Sequence, residues 1–262
     1  MSDDRAINLS VEVPGTPEEV WRAIATSGGI SSWFVPFEVA EAEGGAVTMD
    51  FGEYGKESAE VTAWEPPERF EYGSSGVRPL VYEWLVEAKD GGSCVVRLVN
   101  RGFGHGDDWD ADFEGMQEGW LIFLENLRLH LTHFPGRTAR PILPTVMVPG
   151  PNDAAFAAVC DVLGVPTDLK PGDELRVAGD GVASMAGRID HVEHGPKRSQ
   201  YTLLLDEPAS GTAFIAAEGA GEQVAVSVWL YLYGDGVDEI DDDWTPFLTA
   251  RFPVPDEVPT AG

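Results

Sequence analysis

Apolar and polar residues alternate at the start of the chain. Ile7, Leu9, Val11 and Val13 are apolar, while Asn8, Ser10 and Glu12 are polar. This period of two predicts a strand with one wet face. Pro14-Gly15 turns the chain, and Thr16-Pro17-Glu18-Glu19 supplies a cap, a proline at the first helical position and first-turn acids. Val20, Trp21 and Ile24 then form the apolar face of a short helix, which Gly28-Gly29 is expected to end. Strand-like pieces follow near residues 35–42, 46–51, 58–64, 69–73, 80–87 and 94–101, the last two joined by a hairpin turn at Lys89-Asp90-Gly91-Gly92. From about Asp110 to His130, Phe113, Met116, Trp120, Leu124, Leu127 and Leu131 recur every three or four residues, which predicts a long amphipathic helix. A strand, a short helix, antiparallel strands and a closing helix make an α+β domain.

The pattern then starts again. Val11-Glu12-Val13-Pro14-Gly15 is echoed by Val146-Met147-Val148-Pro149-Gly150, and the same spacing sets Phe156 on Trp21 and Val159 on Ile24. Glu65–Arg69 resembles Glu193–Arg198, the strand near 94–101 has a counterpart near 224–231, and Trp120–Leu124 is mirrored by Trp244–Leu248. The preserved order predicts an internal duplication, with one domain over 1–140 and a degenerate copy over 141–262. The copy is eroded at its end. Only Trp244 to Phe252 is left where the first copy has Trp120 to Phe134, and Pro246 falls where a helix interior is expected, so the second long helix is short or absent.

Composition narrows the functions open to such a chain. With 262 residues and 43% apolar content it can bury a sizeable core. Against 45 Asp+Glu stand 17 Lys+Arg, a formal net charge of −28, so phosphate backbones and anionic membrane surfaces would repel it. No nucleic-acid partner is expected, and no continuous apolar stretch is long enough for membrane insertion. Cys94 and Cys160 form neither a disulfide framework nor a pair with zinc-ligand spacing. The first residues lack a basic patch followed by an apolar run, so a cytoplasmic location is expected.

Several pieces together carry a family resemblance. Val13-Pro14 stands before Pro17-Glu18-Glu19-Val20-Trp21, and then come Ser32-Trp33-Phe34 and Trp64-Glu65-Pro66-Pro67-Glu68-Arg69-Phe70. After these follow Val96 to Gly102-Phe103, then Gly119-Trp120 and Leu124-Glu125-Asn126-Leu127. Residues 7 to about 134 thereby resemble the SRPBCC (START-like) superfamily, and within it the AHSA-type branch named after the activator of the heat-shock-protein-90 ATPase. The resemblance implies a helix-grip fold, in which a curved antiparallel sheet wraps a long C-terminal helix over an apolar cavity. It also implies binding of a lipid- or polyketide-like molecule, or cyclase or hydrolase chemistry on a hydrophobic substrate. A chaperone contact is the third function it implies, although no chaperone-contact motif is present. The second copy would serve as a structural partner or a surface for self-association.

The expected ligand-binding residues are Trp33, Phe34, Tyr82, Trp84, Phe113, Met116 and Trp120. Tyr82 and Trp84 share a strand face, and Phe113, Met116 and Trp120 share a helix face. The plainer alternative is that these rings simply fill the core. Gly115 and Gly119 inside the helix suggest a bend or a close sheet contact. Catalytic, metal and cofactor sites are not expected. Asp108-x-Asp110-x-Asp112 begins like a calcium loop, but Phe113 and Gly119 stand where the loop needs glycine and a bidentate acid. His105 and the acids at Asp107, Asp108, Asp110 and Asp112 then read as a solvated helix start, and the run from Asp235 to Asp243 as a solvated loop. Glu83, Arg97, Arg101 and His105 would reach a cavity mouth only if their strands face inward. His130 and His133 are expected to serve the helix C-terminus.

Overall fold

The opening alternation forms strand β1 (Arg5–Pro14), with Ile7 and Val13 buried. A computed structural model describes residues 5–74, 79–179, 182–219 and 223–253. Helix α1 (Pro17–Ala25) starts in a capping box: the Thr16 hydroxyl accepts from the Glu19 N–H, and the Glu19 carboxylate accepts from the Thr16 N–H. The glycine pair does not end this helix. Thr26 does, donating its hydroxyl to the Arg22 carbonyl while accepting from the Gly29 N–H. A second short helix, α2 (Ser27–Ser31), therefore runs through both glycines.

Next come β2 (Phe37–Val39), β3 (Ala46–Asp50), β4 (Lys56–Glu65), β5 (Arg69–Ser74), β6 (Val81–Lys89) and β7 (Ser93–Phe103). They pair antiparallel with β1 in the order β1-β7-β6-β5-β4-β3-β2. β2 is shorter than its apolar run because the chain folds back at once, with the Gly45 N–H bonded to the Ala42 carbonyl. Helix α3 (Asp107–His133) follows and packs along β1.

Strand alternation sorts the sheet into two chemistries. Phe70, Tyr72, Tyr82, Trp84, Leu98 and Asn100 are buried on the inner face. The outer face carries an ion-pair ladder across β5, β6 and β7: Arg69 meets Glu83 at 2.7 Å and Glu71 at 3.0 Å, and Arg101 meets Glu83 at 3.1 Å and also Glu71. Burial pushes the Glu71 carboxyl up, but the Thr62 hydroxyl and the Arg101 and Arg69 guanidiniums outweigh it and hold it below its ordinary range. Glu83 and Arg101 are thus turned away from the inner face. Arg97 faces the same way, paired with Glu87 at 3.3 Å.

After β8 (Ala139–Ile142) come β9 (Thr145–Pro149) and helix α4 (Asn152–Leu163). Then β10 (Glu174–Gly179), β11 (Val182–His194), β12 (Arg198–Glu207), β13 (Gly211–Glu218) and β14 (Gln223–Tyr233) lie side by side in chain order. β9 pairs antiparallel with β14. Helix α4 packs on β12 and β13, with Phe156, Val159 and Cys160 buried and Phe156 edge-on to Tyr201 at 5.0 Å. The chain ends its described part in helix α5 (Trp244–Arg251), eight residues long. Pro246 proves harmless. It is the third residue of α5, in the first turn, where a backbone N–H has no intrahelical partner to lose. Two compact units result, one up to Pro141 together with Tyr231–Tyr233, the other from Ile142 to Leu230 and from Gly234 on.

Candidate functional site

A cavity of about 770 Å3 lies in the first unit, between α3 and the inner face of the sheet. Helix α3 contributes Trp109, Asp112, Met116, Gly119, Trp120 and Phe123, spaced so that one helical face looks into the space. Opposite them stand Tyr82 from β6, Phe103 from β7 and Phe34 from the loop after α2. Phe34, Tyr82 and Trp120 are buried and make the floor, whereas Glu57, Ser58, Asp112 and Gly115 are exposed and make the mouth. Trp120 is central: its ring stacks on Phe34 at 4.9 Å and stands edge-on to Tyr82 at 6.0 Å. Its indole N–H is buried, with no hydrogen-bond acceptor among the described residues. The Tyr82 hydroxyl is held well above its ordinary range, by burial first and then by the Glu57 carboxylate.

Of the residues expected to bind a ligand, Phe34, Tyr82, Met116 and Trp120 line this cavity; Trp33, Trp84 and Phe113 do not. Trp33 is fully buried, donates its indole N–H to the Ala23 carbonyl at 2.8 Å and meets Trp84 edge-on at 5.5 Å. Both fill the core beneath the floor. Phe113 is one residue, and so about 100°, around the helix from Asp112. It is turned onto Phe103 at 5.0 Å, with the Arg5 guanidinium 4.0 Å from its ring centre.

Periodicity missed Phe103, Trp109, Glu57, Ser58 and Ser74. Phe103 is out of phase with Leu98 and Asn100, and a bulge makes up the difference: Arg5 pairs with Phe103 and Ala6 with Arg101, which leaves Gly102 extra. Gly102 has φ +103°, and an added Cβ would lie 2.2 Å from the Pro79 carbonyl oxygen. Only glycine fits there, and the bulge turns Phe103 inward. A glycine inside a strand pattern was the signal. For Glu57 the signal was its phase with Ala59 and Val61, obscured because a charged residue reads as outward-facing.

Gly115 makes no close sheet contact, since an added Cβ would meet nothing within 4 Å. It leaves the mouth open. Gly115→Leu is expected to raise stability by about 0.5–1 kcal/mol through helix propensity while filling the opening. Thermal unfolding checks the first effect, and loss of stability would refute it.

Among the described residues the remaining polar candidates do not form a second centre. His105 is exposed. His130 does not serve the helix end but points inward, 2.9 Å from the Tyr233 hydroxyl. Burial raises the Cys94 thiol and pushes Cys160 up to about 12, so both stay protonated. Among the described residues no group of three His, Cys, Asp or Glu could hold a metal ion. The side chains of Asp107 and Asp108, part of the acidic cluster at the start of α3, lie outside the described residues. Asp235, Asp238, Glu239, Asp241, Asp242 and Asp243 are exposed. No helix among the described residues is long and apolar enough to cross a membrane.

The chain is similar to several solved structures and to one family model. A Mesorhizobium loti protein, MLL2253, is 21% identical, covering 50% of this chain and 98% of its own with a TM-score of 0.45. The Aha1 dimer protein of Colwellia psychrerythraea is 20% identical, covering 48% of this chain and 96% of its own, with a TM-score of 0.42. DynU16, a protein of the dynemicin biosynthetic locus, is 19% identical, covering 94% of this chain and 93% of its own, with a TM-score of 0.46. No curated protein matches the chain. The family model described as polyketide cyclase/dehydrase and lipid transport matches residues 5–126, the stretch that builds the sheet and most of α3. Over these residues the chain is similar to that family, which is of the SRPBCC type.

Proposed function

We propose that the first unit is a helix-grip domain that binds a hydrophobic small molecule, and that residues 141–262 are its eroded copy, kept as a structural partner. The observation that carries the binding role is the cavity of about 770 Å3 beside α3, floored by Phe34, Tyr82 and Trp120. Its size falls in the range of roughly 300–1,000 Å3 usual for small-molecule sites, and its aromatic walls with a few polar groups fit that use. The family match supports the same class of ligand. Binding, rather than catalysis, is favoured because the acid–base candidates Glu83 and Arg101 are tied into the outer-face ladder.

The duplication is supported by parallel local structure. β9 and α4 repeat β1 and α1, and β14 pairs with β9 antiparallel as β7 pairs with β1. Phe156 packs edge-on to His194 and Tyr201, as Trp21 does to Trp64 and Phe70. In the copy, the eight residues of α5 stand where α3 has 27, too short to cover a comparable space.

Nile red, an uncharged dye whose emission shifts to the blue in apolar surroundings, tests the reading. The full-length protein should bind it with a blue shift, and Gly115→Leu should weaken binding by at least about fivefold. A folded protein that leaves the dye's emission unchanged would sink the proposal.

A further inference from the structure

We infer that this cavity selects hydrophobic amines, held as ammonium ions, over carboxylates with the same apolar body, and that Glu57 is the selecting residue. The inference rests on the cavity being a ligand site. Its lining carries two carboxylates, Glu57 and Asp112, and none of the described lining residues is Lys, Arg or His.

Strand geometry puts the first of these charges at the mouth, on the inner-face side of the sheet. Glu57 pairs with buried Met49 across β3 and β4, and it shares a face with Ala59 and buried Val61. It stands at the open end of a face that is otherwise apolar, opposite to the face that carries the ion-pair ladder. Its negative charge is felt at the Tyr82 phenol on the cavity floor. Below the mouth the walls are the rings of Tyr82, Trp109 and Trp120, whose faces attract cations and repel anions. An ammonium group entering here meets opposite charge at the rim and π-electron density inside. A carboxylate meets like charge at the rim and the same π-electron density inside.

The chain's net charge of −28 draws any cation from a distance, so the test must separate the site from the whole surface. Glu60→Gln is the matched control, because Glu60 lies out of phase with Glu57 on β4 and is exposed. Dodecylammonium and dodecanoate, kept below their micelle concentrations at physiological ionic strength, are titrated against Nile red bound to full-length protein. Dodecylammonium should displace half of the dye at about a tenfold lower concentration than dodecanoate, and Glu57→Gln should shrink that ratio to about threefold or less. Glu60→Gln should keep it. Equal displacement by both competitors, an unchanged ratio in Glu57→Gln, or an equal fall in Glu60→Gln would each overturn the selectivity while leaving the binding role standing. Absence of dye binding in the folded protein overturns the binding role and the selectivity with it.

Discussion

Trp33→Ala should cost about 3–5 kcal/mol of unfolding free energy, the largest loss expected from any one side chain near the cavity. Trp33 is fully buried, and its indole is fixed at both ends: the N–H donates to the Ala23 carbonyl at 2.8 Å, and the ring stands edge-on to Trp84 at 5.5 Å. Truncation removes the ring contacts and the donor together, and it leaves a hole in the packed core beneath the cavity floor. Met116→Ala is the informative contrast. Met116 lies half-buried on the cavity wall, where many of its atoms already lack partners, so its loss should cost less than about 1 kcal/mol. Denaturant unfolding of both variants checks the pair. A Met116→Ala loss equal to that of Trp33→Ala would mean that the cavity wall is packed as tightly as the core.

Acid should destabilise the first unit well before its carboxylates titrate, through His130. The ring is buried, and burial pushes its pKa down to about 4 from the ordinary 6.5. Its geometry fixes the tautomer of the neutral ring. The Tyr233 hydroxyl gives its hydrogen to the Ser32 carbonyl at 2.8 Å, so Nδ1 of His130 must donate to the Tyr233 oxygen at 2.9 Å. Above pH 6.5 the folded and unfolded states are both neutral at this residue, and its contribution is fully present. As the pH falls from 6.5 towards 4 the unfolded chain takes up a proton that the folded chain refuses, and up to about 3 kcal/mol is lost. Between pH 6.5 and 5 little of the fall comes from carboxylates such as Glu71, whose unfolded value lies near 4.5. Urea unfolding across that window should show the slope in the natural chain, and His130→Gln should flatten it. Parallel slopes in the two proteins would count against the buried neutral histidine.

Part of the cavity lining was legible in outline. Of the repeat Phe113, Met116 and Trp120, the last two line the cavity, and the wall continues through Asp112, Gly119 and Phe123 rather than through Phe113. A helix that packs on strands along one edge and walls a space along another has two inward stripes, which apolar periodicity merges into one. Tyr82 and Trp84 share a strand face as expected, yet only Tyr82 reaches the opening, because Trp84 sits beneath Trp120 at 5.4 Å. Glu57 and Phe103 were hidden for opposite reasons, one by its charge and the other by the bulge at Gly102.

By itself the sequence determined the elements. Alternation, the capping box at Thr16, the turn at Gly91-Gly92 and the spacing of α3 are local properties, set by backbone sterics and by hydrogen bonds between near neighbours. The sequence also foretold a short helix after β14, since Phe252-Pro253 follows so soon after Trp244. Only the tertiary structure decided that Trp33 and Trp84 are core while Phe34 and Tyr82 face open space, that Arg69 and Arg101 tie up Glu71 and Glu83, and that His130 turns inward. Those outcomes depend on how residues far apart in the chain fill a shared volume, and close packing is a property of the assembled neighbours that no single stretch of sequence carries.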